Sequence, residues 1–508
     1  MNGAQALIRT LVDSGVDVCF TNPGTSEMHF VAALDSVPEM RAALGLFEGV
    51  VTGAADGYGR MTGRPAATLL HLGPGLGNGL ANLHNARRAS TPVVNIVGDH
   101  ATYHAQYDAP LQSDIETVAR NVSGWIRRPT ETAAVASDAA EAVAAALRGE
   151  VATLILPADV SWSEGAQPAP PVARPAAPPV DEEAVATAAK ALGRGEPCVL
   201  LIGGAACRAD GLLDASRVAA ATGAKLLCET FPARLERGAG LPAVERIAYL
   251  GEFAAMQLEG ARHMVIVDTE APVTFFAYPD KPSWLVPEGC EVHSLPATAL
   301  AALAERVGGA DPVLTPAARP DRPNGALTAE AVAAAVGALL PEGAIVADEA
   351  QTSGLWAPGA TAGAPRHDWL TLTGGAIGYG LPVATGAAVA CPDRPVLCLQ
   401  ADGSAMYTIQ ALWTQAREGL DVTTVLYNNR SYAILNLEFT RVGVGAPGPK
   451  AHDMLDLSRP DLDFVALAQG MGVPATRAET AEDFTDQLER ALAEPGPHLV
   501  EAIVPASM

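Results

Sequence analysis

Basic side chains are scarce in this chain of 508 residues. Lysine and arginine number 33 against 57 aspartates and glutamates, a formal net charge of −24. That balance repels phosphate backbones and anionic bilayer surfaces, so neither nucleic acid nor a membrane surface is expected as a partner. Long apolar runs are also missing: no window holds about 18 uninterrupted apolar residues, the length a membrane span needs. Cysteine is sparse, at seven, and no two form a CxxC pair. Most lie in apolar runs such as Cys198–Gly204, as small buried hydrophobes in a reducing compartment rather than a disulfide framework or zinc site. The first residues are expected to form a helix of the fold rather than a signal peptide. Leu7, Ile8, Leu11 and Val12 recur at helical spacing around Arg9 and Asp13, the pattern of an amphipathic helix. A cytoplasmic location is the expectation.

Hydrophobic residues make up 49% and charged residues 18%, a globular composition, and the length suits about three domains. Two proline-rich stretches, residues 165–183 and 310–326, read as linkers. They leave blocks 1–164, 184–309 and 327–508. Each block alternates helical stretches with short apolar, β-branched runs, among them VDVCF, PVVNIVGD, CVLLIGG, HMVIVD, PVLCLQAD and VTTVLYNN. Such runs suit strands covered on both faces, so the fold class is α/β with three doubly wound parallel sheets. Ligands in such sheets bind at the carboxyl ends of the strands.

The third block carries the most chemistry. A strand runs into Ala401-Asp402-Gly403-Ser404, a helix follows, and a second strand ends at Asn428-Asn429. Asp402 and Asn429 are 27 residues apart, about one strand–helix–strand unit, which puts both at one sheet edge. A carboxylate and an amide oxygen there are hard ligands for magnesium or calcium, and diphosphate oxygens and water can complete the shell. Gly403 and Ser404 offer backbone N–H groups and a hydroxyl to a phosphate. Upstream, Gly374, Gly375, Gly378 and Gly380 are dense enough for close backbone approach to a ligand.

The first block offers an isolated carboxyl. Glu48 sits among Leu44, Leu46, Phe47, Val50 and Val51, ahead of a glycine-rich helix. Thr25, Ser26 and Glu27 follow a Pro-Gly turn at a helix start, a place for a substrate carboxylate or an ordinary cap. His71 ends a strand before a glycine loop.

These motifs resemble the thiamine-diphosphate-dependent enzymes that act on 2-oxo acids. Their signature is a GDG(S) strand end followed by NN, and this chain departs from it with Ala401 for the first glycine. The resemblance covers nearly the whole chain, and the subgroup most similar is benzoylformate decarboxylase, with flavin-free acetolactate-synthase-like proteins next. It implies a thiamine-diphosphate-binding fold at both ends (pyrimidine side in 1–164, diphosphate side in 327–508) and a Rossmann-like middle. It implies Asp402, the Asn429 side chain and the Ser431 carbonyl on the metal. Gly375 and Ile377 would hold the aminopyrimidine, Ile377 bending the cofactor. Glu349, Gln351 and Thr352 would lie at the diphosphate. Glu48 would activate the cofactor from the neighbouring subunit, making a homodimer the minimum and a homotetramer the expected assembly. Thr25 takes the place of an active-site serine and His71 that of a proton-donating histidine. The second histidine of benzoylformate decarboxylase is missing from residues 271–284, where Phe275–Phe276 stand instead. The adjacent histidine pair of pyruvate decarboxylases is missing too, and His100 and His104 stand apart, with Gln112 beyond. Gly203–Gly204 follows a strand without a GxGxxG, so FAD is not expected.

The activity so implied is decarboxylation of a 2-oxo acid, with carboligation to an aldehyde or second 2-oxo acid left open. The alternatives are an acetolactate-synthase-like carboligase without flavin, a catalytically silent cofactor-binding paralogue, and a nucleotide-binding oxidoreductase.

Overall fold

Three sheets follow one another along the chain in this computed structural model, which describes residues 1–177, 179–445 and 447–506. Residue 178 of the first proline-rich stretch and residues 446, 507 and 508 of the last block lie outside the described residues.

The first sheet has six parallel strands. In chain order they are Val18–Asn22, Arg41–Leu44, Ala66–Leu70, Val93–Asp99, Trp125–Arg127 and Val151–Pro157. Numbered so, their spatial order is 2-1-3-4-6-5. The third sheet has seven strands. Its six parallel ones, Ile345–Glu349, His367–Leu370, Val396–Ala401, Val422–Asn428, Ala475–Ala478 and His498–Ile503, repeat the same order, 2-1-3-4-6-5. The seventh, Leu235–Arg237, comes from the middle of the chain and pairs antiparallel with His367–Leu370. The second sheet has five parallel strands, Cys198–Ile202, Lys225–Cys228, Glu245–Arg246, His263–Val267 and Glu291–Leu295, in order 3-2-1-4-5, the Rossmann arrangement.

The central strands of the end sheets are buried along their whole length because they are apolar on both faces. The strands that periodicity does not reveal are the short or edge ones. Arg41–Leu44 and Trp125–Arg127 are partly exposed and carry arginine, and His367–Leu370 opens on two polar residues.

The repeated order makes two helices equivalent. Glu48–Thr62 and Gly380–Ala390 each link strand 2 to strand 3 of an end sheet, and they pack directly on each other. A Cβ on Gly386 would collide with the Ala54 carbonyl, and one on Gly57 with the Val383 carbonyl. The buried pair Arg60–Asp56, at 2.7 Å, seals the joint. Arg60 donates to the Thr371 carbonyl at 2.7 Å and to Thr373 Oγ1 at 3.0 Å, and Asp56 accepts from Thr91 at 2.6 Å.

Candidate active site

In each end sheet the strand order reverses between strands 1 and 3, the switch point where ligands bind in open α/β sheets. In the third sheet these strands end at Glu349 and Ala401, with Glu349 paired in register to Gln400, the residue before Ala401. Gln351 and Thr352 therefore emerge beside Asp402. Ala401 is extended, at φ −84° and ψ 150°, so a methyl group replaces glycine there without strain. Asp402 accepts from Gly403 N at 2.7 Å and Arg430 N at 2.6 Å. Burial pushes its carboxyl up to about 6 against these opposing hydrogen bonds. Asn429 Oδ1 accepts from Ser431 N at 2.9 Å, a tight turn in which Arg430 takes the left-handed conformation at φ 57°. Gln351 is also left-handed, at φ 53°. Thr352, Ser353, Trp356 and Asn429 line a cavity of ≈ 270 Å³. Strain at two turns flanking one cavity is the signature of a site whose backbone is held in place by its surroundings.

Two expected contacts turn inward. The Ser404 hydroxyl donates to the Ala401 carbonyl at 3.2 Å and accepts from Gln400 at 2.7 Å. Its proton is committed within the strand end, which leaves the backbone N–H of Ser404 for a phosphate. Glu349 is buried and accepts from the backbone N–H groups of Gly378, Tyr379 and Gly380 and from Gln400. It fixes the 374–380 loop and does not face a diphosphate. Gly403 has a packing reason of its own, since a Cβ there would strike the Tyr432 ring.

The same loop is strapped from the first sheet. The helix Leu72–Arg88 carries Asn78, Asn82 and Asn85 on one face. Asn82 donates to the carbonyls of Gly49 at 2.8 Å and Gly378 at 3.1 Å. Asn85 donates to the Ala376 carbonyl at 2.8 Å, and His84 Nε2 meets the Gly374 carbonyl at 3.1 Å. Asn78 donates to Glu48 Oε2 at 3.0 Å. These residues escaped the sequence reading. Their signal is three poor helix formers at spacings of four and three in a helix interior, where an amide side chain needs a reason. Gly375 stays left-handed at φ 72° with only Phe275 near its Cβ position, at 3.9 Å, and Ile377 is half-buried beside it.

At the first sheet's switch point, Asn22 and Leu70 are register partners, which brings the Thr25 turn and His71 together. Gly24 packs flat against the His71 ring, with no room for a Cβ. Glu27 Oε2 accepts from Gly24 N at 2.7 Å and meets His71 Nδ1 at 2.8 Å. Burial raises the Glu27 carboxyl, opposed by the hydrogen bond to His71. Thr25 is exposed at the start of that turn. Leu72, directly after His71, is left-handed at φ 50°, a costly conformation for a large side chain. Glu48, 7% exposed, is the first residue of its helix. Glu48 Oε1 and His71 Cβ both lie within 3.5 Å of the Cβ position of Gly75, so Glu48, His71 and the Glu27 bonded to it form one cluster. Beside it, Gln112 Oε1 and Ser113 Oγ are buried without hydrogen-bond partners.

In the middle sheet the switch-point amides are already taken. Gly204 N donates to Glu229 at 3.2 Å and Ala205 N to Asp268 at 3.2 Å, so both N–H groups are satisfied within the chain.

Residues 1–120 match the thiamine pyrophosphate enzyme N-terminal TPP binding domain, and residues 352–502 the C-terminal TPP binding domain. The chain belongs to the thiamine pyrophosphate enzymes. It is 64% identical over 515 residues to "Putative acetolactate synthase large subunit IlvX" of Mycobacterium tuberculosis, covering 100% of this chain and 99% of that protein. It is 31% identical to benzoylformate decarboxylase of Pseudomonas aeruginosa, over 96% of each chain. The solved thiamine diphosphate-dependent 4-hydroxybenzoylformate decarboxylase of Rhodococcus jostii RHA1 superposes with a TM-score of 0.87 at 26% identity, over 99% of both chains. This thiamine pyrophosphate enzyme is therefore of the decarboxylase and acetolactate synthase type. Its residues fit the cofactor: a desolvated carboxylate and an amide oxygen at one strand edge suit a hard cation, and the cavity lined by Thr352 and Asn429 adjoins them. Among the described residues no helix is long and apolar enough to cross a membrane.

Proposed function

We propose that this enzyme decarboxylates a 2-oxo acid with thiamine diphosphate and magnesium. The observation that carries the reading is the Glu48–Asn78 and His71–Glu27 cluster at one switch point, facing a chain whose other switch point holds Asp402 and Asn429. Asp402, the Asn429 side chain and the Ser431 carbonyl would hold the metal. The backbone N–H groups of Gly403 and Ser404, with Gln351 and Thr352, would hold the diphosphate, and Gly375 and Ile377 the pyrimidine. When bound, the cofactor supplies the electron sink for carbon–carbon cleavage.

The chain's own residues manage protons and water. Asn78 occupies Glu48 Oε2, leaving Oε1 to hold a proton toward the pyrimidine. Gly75 keeps that oxygen uncrowded, since any side chain there would press on it. Glu27 holds His71 by Nδ1, leaving Nε2 free to deliver a proton to product. Thr25, at the start of the short helix that holds Glu27, would receive the substrate carboxylate. Across the cofactor loop, Phe275 packs edge-on against Phe231, with ring centroids 5.2 Å apart and planes at 85°, and lies 5.2 Å from Tyr249. That wall is apolar and offers no histidine, which suits an apolar substituent on the 2-oxo acid and leaves His71 as the proton donor.

A second reading is an acetolactate-synthase-like carboligase without flavin, favoured by the name of the 64% identical relative. Product analysis separates them: aliphatic and aryl 2-oxo acids are incubated with enzyme, thiamine diphosphate and Mg²⁺, with and without acceptor aldehydes. Carbon dioxide and free aldehyde support the proposal. A 2-hydroxy ketone or acetohydroxy acid as main product selects the carboligase. Intact 2-oxo acids beside a cofactor-induced rise in melting temperature would leave a silent cofactor-binding protein.

A further inference from the structure

The middle sheet holds a cluster of ligands that the reaction does not use. His263 begins one strand and Glu291 the next, and the two are register partners, with Val265 opposite His293. Because strand side chains alternate faces, His263, Glu291 and His293 share one face. A nitrogen of each histidine and a carboxylate oxygen lie within 4.8 Å of one another. His263 is 2% exposed. Its Nδ1 stands 3.3 Å from Glu291 Oε2 but has no hydrogen-bond partner, and neither has the buried Nε2 of His293. The other nitrogen of His263, Nε2, meets Glu196 Oε2 at 3.0 Å. A carboxylate on the far nitrogen of an imidazole is the usual outer support of a metal-binding histidine, since it fixes the tautomer that leaves the near lone pair free.

We propose that His263 Nδ1, His293 and Glu291 bind a transition-metal dication of the zinc class at the edge of the middle sheet. Two imidazoles and one carboxylate suit zinc, cobalt or nickel and not magnesium. Bonds of about 2.0–2.2 Å set tetrahedral ligands roughly 3.4 Å apart, a spacing that His263 Nδ1 and Glu291 Oε2 already meet at 3.3 Å and toward which the half-buried His293 ring would close. Water takes the fourth position. One cation competes: Arg194 Nη1 lies 3.6 Å from Glu291 Oε2 and 3.3 Å from His263 Nε2, and it must swing outward when metal enters. The ion would pin Glu291–Leu295, an edge strand, to its neighbour.

The test uses the full-length protein, stripped with chelator and held in millimolar Mg²⁺ so that the Asp402 side is not available to the probe. Co²⁺ is titrated by its visible absorption, then displaced with Zn²⁺, and melting temperature is followed throughout. Wild type is expected to take one equivalent and melt higher with metal. His293→Ala and Glu291→Gln should each weaken binding at least tenfold, and Glu196→Gln about 10–100-fold. Arg194→Ala should tighten it. Equal Co²⁺ binding by wild type and a His293→Ala protein of unchanged metal-free melting temperature overturns the proposal, as does no uptake by wild type.

Discussion

Glu27 shows how one residue changes meaning between chain and fold. In the sequence it is an acid at a helix start, which capping alone explains. In the structure it is 1% exposed and binds His71 Nδ1. Replacing it with glutamine keeps the shape but weakens the hydrogen bond that holds the His71 ring by Nδ1. Glu27→Gln is expected to lower kcat by about 10²-fold, the low end for positioned acid–base groups. The loss should fall on kcat rather than KM and leave the metal-free melting temperature near wild type, a split that a purely structural role would not give. Glu229 makes a stability prediction. Burial pushes its carboxyl up to about 7, above the unfolded value of 4.5. A carboxyl raised on folding favours the fold while protonated, so its contribution falls as pH rises from about 4.5 through 7. The melting temperature of Glu229→Gln should therefore gain on wild type between pH 5 and pH 8. An unchanged difference across that range would count against the buried carboxyl.

Among elements, the joint between Glu48–Thr62 and Gly380–Ala390 carries the molecule's architecture. Small residues let the two helices touch at backbone distance, and the Arg60–Asp56 pair closes one end of the contact. Gly386→Ala inserts a methyl group against the Ala54 carbonyl. Overpacking of this kind costs about 1–3 kcal/mol, and the same shift moves Gly378 away from Asn82. The expected outcome is a lower melting temperature together with weaker thiamine diphosphate binding, read by thermal shift with and without cofactor. Normal cofactor affinity at a reduced melting temperature would mean that the helix joint does not position the loop. The asparagine face of Leu72–Arg88 works at the same scale. It links the helix start at Glu48 to the loop at Gly378 within one chain.

For the whole molecule, the two end sheets share one strand order, and in the proposed reading each switch point would supply half of a site. In the proposed reading the halves come from different subunits. Mixing inactive variants tests this: Glu48→Gln spoils one half and Asp402→Asn the other. If sites are shared between subunits, co-refolded or co-expressed mixtures should regain roughly a quarter of wild-type activity, because a mixed dimer holds one intact site, as long as the variants pair at random. Mixtures as inactive as the parents would place both halves of each site in one chain.

The sequence by itself determined the parallel α/β class, because fully apolar runs ending in Asp, Asn or Gly need no partner to be read. Spacing along one strand–helix–strand unit also put Asp402 and Asn429 at one sheet edge, and isolation among apolar residues singled out Glu48. Short edge strands such as Arg41–Leu44 and the borrowed Leu235–Arg237 were not legible, since half-exposed pairing leaves no periodicity. Only the tertiary structure decided that Glu349 and the Ser404 hydroxyl serve the loop and strand end rather than a ligand. It alone joined Glu27 to His71, Asn82 to Gly378 and His263 to Glu291. Hydrogen bonds between distant segments depend on which strand ends meet at a sheet's switch point. That is set by packing of the whole chain, not by any local pattern.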